Sequence, residues 1–307
     1  DVLPTLIKAP SVRHPSRLLT APYILFFGFG ALILIGGGLL TLPFATNPEG
    51  GAPLVTAMFT STSAVTVTGL TVVNTSTYWS FPGQVIIFGL MLVGGLGFMT
   101  VATFLLIVIG QRISLSERIL MSDAIGVDRI GSLVRVTRNI IIIVVMIYAL
   151  GILLLWWQLV DFFSTWEALW QAAFHTISSF NNAGFSIIPG TVHQEGFASN
   201  ILLLSFMTVL IILGGIGWTT LVDIWKNHRF SRWSLDTRMV VVTSLFLWSM
   251  GALVFYIAEF NNEDTIGSFS VIERAFYSVF HSISGRTAGF VTIDFSRASE
   301  LTLLFYP

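Results

Sequence analysis

The chain has 307 residues, 54% of them hydrophobic and 10% charged, with a mean hydropathy of +0.83. That is far too apolar for an ordinary soluble domain and marks an integral membrane protein. The net charge of -1 and the absence of cysteine exclude little, because in such a protein the placement of charge matters more than its sum.

Residues 1–20 carry Lys8, Arg13 and Arg17 and no acid beyond Asp1, so they read as a cytoplasmic lead in which prolines argue against a long helix. Apolar stretches at 21–42, 83–110, 139–160, 200–224 and 239–258 each reach the roughly 20 residues that cross a bilayer core as helix. Five spans are expected. The first is too long for a signal-peptide core and lacks a small-residue cleavage site, so a cleaved leader is not expected. Its run Gly36-Gly37-Gly38 suits close helix contact in lipid. After the turn-rich stretch 47–51, the apolar segment 53–64 is too short to span and suits a re-entrant half-helix.

A loop through Thr66-Val67-Thr68-Gly69 leads to the second span, which contains Gly94-Gly95-Leu96-Gly97. The segment 111–138 holds five arginines and reads as cytoplasmic. The order then repeats: a span, a short apolar segment at 166–179, a loop to 188, and a span at 200–224 with Gly214-Gly215-Ile216-Gly217. Lys226, Arg229, Arg232 and Arg238 mark a second basic linker. A third unit has its span, a short apolar segment at 269–283 and a loop to 293, and the chain stops at Pro307 just as a further span should begin. The expected division is a lead at 1–20, pore repeats at 21–110, 139–224 and 239–307, the last incomplete, and cytoplasmic linkers at 111–138 and 225–238.

The three loops read SAVTVTGL (63–70), SSFNNAGF (178–185) and SGRTAGF (284–290), with Gly69, Gly184 and Gly289 spaced by 115 and 105 residues. Three copies of one loop imply three copies of one unit. Counted from Phe59, Phe174 and Phe280 to these glycines, the third loop is one residue shorter, so its backbone path should differ. Twelve of the 15 Lys and Arg residues fall on one expected side; the others are Arg274, Arg286 and Arg297. The positive-inside rule puts that side in the cytoplasm and the loops outside. Each unit then begins and ends inside, so the units are parallel about an axis along the membrane normal, unlike an inverted-repeat transporter.

Irregular backbone at membrane depth survives only where it is buried in protein or lines a watery cavity, so the three loops should converge. Glycine tolerates positive φ there, and Thr66, Thr68, Asn181, Asn182 and Thr287 offer neutral oxygens beside the backbone carbonyls. Such a ring can replace the hydration shell of a monovalent cation.

The stretches TSTSAVTVTGL (60–70), FHTISSFNNAGF (174–185) and FHSISGRTAGF (280–290), with GGLG (94–97) and GGIG (214–217), resemble the Trk/Ktr/HKT superfamily of potassium transporters, most closely a bacterial Ktr-type or Trk-type membrane subunit. The resemblance covers about residues 21–307. It implies an all-α polytopic membrane protein of repeated span, pore-helix, filter-loop and span units around a pseudo-fourfold, potassium-channel-like pore. The fourth unit is missing from this chain and is expected beyond Pro307. It implies potassium uptake across a bacterial plasma membrane, with a cytoplasmic N-terminus, and potassium as substrate, held by backbone oxygens of Thr66, Val67, Thr68, Gly69, Asn181, Asn182, Ala183, Gly184, Arg286, Thr287, Ala288 and Gly289. Glycine at all three visible filter positions fits the potassium-selective members. The resemblance also implies no cofactor in this subunit, room for sodium as an activator, a homodimer in the lipid bilayer, no nucleic acid partner, and gating by a cytosolic nucleotide-binding ring of the RCK type. For 111–138, docking such a ring and merely satisfying topology and anionic lipid stand as equal readings.

Blander readings sit beside these. A single TVTGL loop could be an ordinary outer turn, which three copies at matched depth argue against. His175 and His281 could form a metal or catalytic pair in an intramembrane enzyme, yet no acid or cysteine stands at ligand spacing, and helix-packing histidines fit better. A secondary carrier of an organic solute would want a buried acid or base near mid-span, where these spans are nearly acid-free. Arg286 reads either as a prop behind the third loop, held by carbonyls or by an acid such as Glu273, or as a charge that meters ions. The glycine clusters read as packing contacts before hinges.

Overall fold

Helix limits follow local chemistry throughout the computed structural model, which describes residues 21–48, 50–97, 133–188 and 200–305. The expected lead at 1–20, residues 98–109 of the second span, the first linker up to residue 132 and the stretch 189–199 lie outside the described residues. The elements are α1 (Ala21–Leu40), α2 (Leu54–Thr66), α3 (Thr75–Tyr78) and α4 (Phe81–Leu96), then α5 (Leu133–Leu159), α6 (Thr165–Phe180), α7 (Ile201–Ile216) and α8 (Trp218–Lys226), then α9 (Leu235–Glu259), α10 (Val271–Thr287) and α11 (Glu300–Phe305). No strand occurs among the described residues.

Helices α4, α7 and α11 each start on a side-chain cap that offers an oxygen to an otherwise unpaired N–H. Ser80 accepts from Gly83 N at 3.4 Å, Asn200 from Leu203 N at 3.0 Å, and Ser299 from Thr302 N at 3.3 Å. The same three residues reach back to the end of their unit's first span. Ser80 donates to the Phe44 carbonyl, Asn200 donates to Gln158 Oε1 at 3.1 Å, and Ser299 donates through both N–H and hydroxyl to Glu259 Oε1 at 2.8 Å. One cap therefore closes each hairpin.

Helices α5 and α9 are long and apolar enough to cross a membrane, and α1 has 20 residues. The expected span at 200–224 is not one rod. It is α7 followed by α8, bent by 96° at a break where Gly217 has φ 87° and ψ 149°. Glycine adopts that left-handed region without the steric cost a Cβ would bring. Helices α2, α6 and α10 cover the three short apolar segments; α2 packs against α1 and α4, α6 against α5 and α7, and α10 against α9 and α7. Two buried clusters form the core, one around Leu40, Trp79, Ile87 and Met91, the other around Leu204, Met207, Phe255 and Phe280. Phe26, Leu34, Val145, Leu150, Phe246 and Ile257 point outward, as spans in lipid require.

Candidate functional site

The three loops follow the C-terminal ends of α2, α6 and α10. Gly69, Gly184 and Gly289 have φ of 76°, 71° and 78°, which other L-residues rarely adopt. A methyl built on Gly69 would lie 3.1 Å from the carbonyl oxygens of both Ala183 and Ala288, and 3.4 Å from Gly184 Cα. One built on Gly184 would collide with the Ala288 carbonyl oxygen. Loops more than 100 residues apart in sequence thus meet backbone to backbone at one point, with carbonyl oxygens of two units beside the glycines of the others.

The third loop takes its own path. In the first two loops the residue two before the glycine is left-handed, Val67 at φ 52° and Asn182 at φ 57°. In the third, α10 runs on through Thr287, and Ala288 stays right-handed at φ -93°. The missing residue removes the left-handed step, and the helix continues in its place.

Each loop is tied to its own helix by a buried serine. Ser63, Ser178 and Ser284 lend their carbonyls to Thr68 N at 3.0 Å, Ala183 N at 2.7 Å and Gly289 N at 2.7 Å. The hydroxyl of Ser178 donates to the Phe185 carbonyl at 2.8 Å and that of Ser284 to the Phe290 carbonyl at 2.7 Å, while Ser63 Oγ accepts from Thr68 Oγ1 at 3.1 Å. Sequence reasoning missed these serines, although each opens its loop's repeated string.

The side-chain oxygens expected to face the axis are engaged within the protein. Thr66 Oγ1 donates to the Thr62 carbonyl at 2.8 Å. Asn181 accepts from the Tyr148 hydroxyl at 2.8 Å and donates to the Met91 carbonyl at 3.0 Å, so its amide wedges into α4 of the first unit. Asn182 donates to the carbonyls of Phe180 and Ile211 at 3.3 and 3.4 Å, and accepts from Thr287 Oγ1 at 2.8 Å. That last bond joins the second and third loops.

Arg286 turns away from the loops. Its Nη1 donates to Ser244 Oγ on α9 at 2.9 Å and its guanidinium stands 5.8 Å from the Trp248 ring. Glu273 is not its partner. Glu273 closes a capping box with Ser270 at the far end of α10, where the Ser270 N–H holds its carboxyl below the ordinary range. His175 and His281 pack as helix histidines: His175 lies 2.7 Å from the Gln171 carbonyl and 3.0 Å from Ser186 Oγ, and His281 lies 2.9 Å from Thr292 Oγ1. No group of three His, Cys, Asp or Glu that could hold a metal occurs among the described residues.

The glycine clusters combine packing and bending. A methyl on Gly94 would come within 2.8 Å of the Val65 carbonyl carbon, and one on Gly214 within 2.7 Å of the Phe180 carbonyl carbon. Gly94 thus lets α4 touch the end of α2 and Gly214 lets α7 touch the end of α6, while Gly97 and Gly217 end the helices.

Over residues 32–307 the chain matches the TrkH family, described as a cation transport protein. The chain belongs to that family. The TrkH family comprises ion transporters rather than enzymes. Ktr system potassium uptake protein B of Bacillus subtilis (strain 168) is 37% identical over 288 residues, covering 93% of this chain and 63% of that protein. Potassium/sodium uptake protein NtpJ of Enterococcus hirae is 33% identical over 293 residues, covering 95% of this chain and 64% of that one. The chain therefore spans a little under two thirds of these relatives. The crystal structure of the potassium transporter TrkH from Vibrio parahaemolyticus matches with a TM-score of 0.58 at 17% identity, over 93% of this chain and 55% of that one, and shares the fold.

Proposed function

We propose that the whole protein takes up potassium across a bacterial plasma membrane through a filter lined by residues 66–69, 181–184 and 286–289, with a fourth loop from a further unit. The observation that carries this reading is the convergence of the three loops, with Ala183 and Ala288 carbonyl oxygens 3.1 Å from a methyl built on Gly69. The C-terminal ends of α2, α6 and α10 lead into the same point, and helix C-termini carry about half a negative charge each, which favours a cation. No formal charge enters the filter, because Arg286 is drawn off to Ser244. Selection then rests on dehydrating the ion into neutral oxygens rather than on a carboxylate. The relatives named for potassium uptake, and NtpJ for potassium and sodium, support the substrate and a second ion.

The names of the Ktr system proteins support a regulatory partner, which this reading takes to be a cytosolic RCK-type ring acting on a homodimer whose N-terminus is cytoplasmic. The test is rubidium or potassium flux in liposomes containing the full-length protein with Gly69→Val. Flux should be lost, since a β-branched residue fits neither φ 76° nor the space between two carbonyls. Unchanged flux would sink the filter.

A further inference from the structure

The geometry points to Ser178 and Ser284 as positioning residues that set the outer limit of the ion path, by holding the Phe185 and Phe290 carbonyls back against the pore helices. This rests on the filter reading above and deepens it. Both serines are fully buried, and both hydroxyls donate to the carbonyl of the residue directly after a filter glycine. A carbonyl that accepts from a serine on the helix behind it is turned away from the axis. It is therefore withdrawn from the set of oxygens an ion meets.

Two features make the latch more than an incidental bond. First, the loops that carry it differ: Ser178 reaches seven residues ahead across a left-handed Asn182, Ser284 only six across a helical Thr287, yet both end on the same carbonyl. The bond is kept while the path between its ends changes. Second, the segment just beyond each carbonyl is pinned by a histidine one turn earlier on the same helix, His175 to Ser186 and His281 to Thr292. Both segments are thus fixed at two points, at Phe185 and Ser186 in the second loop and at Phe290 and Thr292 in the third. The first loop is built otherwise, since Ser63 Oγ accepts from Thr68 Oγ1. The latch therefore makes the outer mouth unequal around the axis, closed back on the second and third loops.

A carbonyl released from its serine is free to turn toward the axis and to adjust its distance to a smaller ion. Discrimination between potassium and sodium should fall, on the order of 3- to 10-fold per latch, as expected for the loss of one hydrogen bond. The test compares rubidium and sodium uptake into vesicles from cells producing the full-length protein with Ser178→Ala, Ser284→Ala and the matching Ser→Thr and Ser→Cys variants. The expected result is retained rubidium uptake with a lowered rubidium-to-sodium ratio in the alanine proteins, an intermediate ratio with cysteine and a near-normal one with threonine. A ratio that stays at the parent value, or uptake of both ions falling in proportion, would overturn the proposal. If an alanine protein fails to accumulate, the cysteine and threonine pair reads the same ordering. Loss of flux in Gly69→Val together with an unchanged ratio in the serine variants refutes the latch alone, whereas intact flux in Gly69→Val refutes the filter beneath it.

Discussion

Replacing Gly214 and Gly215 by alanine, one at a time, should give opposite results at adjacent positions. Both lie within α7, so both exchanges bring the same gain in helix propensity, up to about 1 kcal/mol. Their surroundings differ. A methyl on Gly214 would overlap the Phe180 carbonyl oxygen and lie 2.7 Å from its carbon, which is backbone at the end of α6 and cannot rotate aside. A methyl on Gly215 would find its nearest neighbour, Asn182 Nδ2, at 3.7 Å, an ordinary contact. Overpacking of this kind costs about 1–3 kcal/mol, so the two variants should differ by that amount, with Gly215→Ala neutral or stabilised. At about 2–4 °C per kcal/mol, the thermal midpoints of the detergent-solubilised proteins should separate by several degrees. Because Phe180 leads directly into the second loop, Gly214→Ala should also depress cation uptake while Gly215→Ala leaves it intact. Equal midpoints, or a lower midpoint for Gly215→Ala, would refute the reasoning.

Further consequences can be measured in the same preparations. Arg286→Ala and Ser244→Ala should be non-additive in unfolding experiments, with a coupling of about 1 kcal/mol or more for a charge-assisted hydrogen bond; strict additivity would show that the 2.9 Å contact contributes nothing. Glu259 is buried and accepts from Asn262, Thr265, Ser299 and Thr302, so Glu259→Gln, which turns an acceptor into a donor, should destabilise by about 2–4 kcal/mol, seen as a lowered midpoint. Replacing His175 and His281 together by glutamine should leave measurable rubidium uptake, because both rings serve as packing bridges; its abolition in a folded protein would reopen a chemical role.

The spans at 139–160 and 239–258 and the short helices α2, α6 and α10 were legible because each depends on one local quantity, the length of an uninterrupted apolar run. That quantity fails where backbone geometry overrides composition. Residues 200–224 stay apolar past Gly217, so hydropathy reads one span, and only the φ of 87° reveals the 96° bend. The altered third loop was visible as a missing residue, but not that α10 would absorb the change by extending to Thr287. The partner of Arg286 was out of reach, since Ser244 lies 42 residues away and is brought near by the packing of α9 on α10. Glu273 is nearer in sequence, yet on a helix it lies more than three turns from Arg286, at the opposite end of α10.

The largest difference concerns which oxygens do what. Threonine and asparagine in a loop suggest ligands because their side chains carry the conspicuous oxygens. In the folded chain Thr66 bonds its own helix, Thr68 bonds Ser63, Asn181 bridges Tyr148 and Met91, and Asn182 bonds Thr287. Apart from the Thr66 bond, which lies within α2, these bonds tie loop residues that follow the helix ends to the rest of the protein. Polar side chains are thus needed at these positions to hold the loops against the helices and against one another. On the proposed reading, this is what a filter of carbonyls requires: a carbonyl discriminates between ions only if its position is imposed from behind. On that reading Ser178 and Ser284 act from behind the loops, through the Phe185 and Phe290 carbonyls. A search of the sequence for polar loop oxygens therefore finds Thr66, Thr68, Asn181, Asn182 and Thr287, but not the bonds within the protein that engage their side chains.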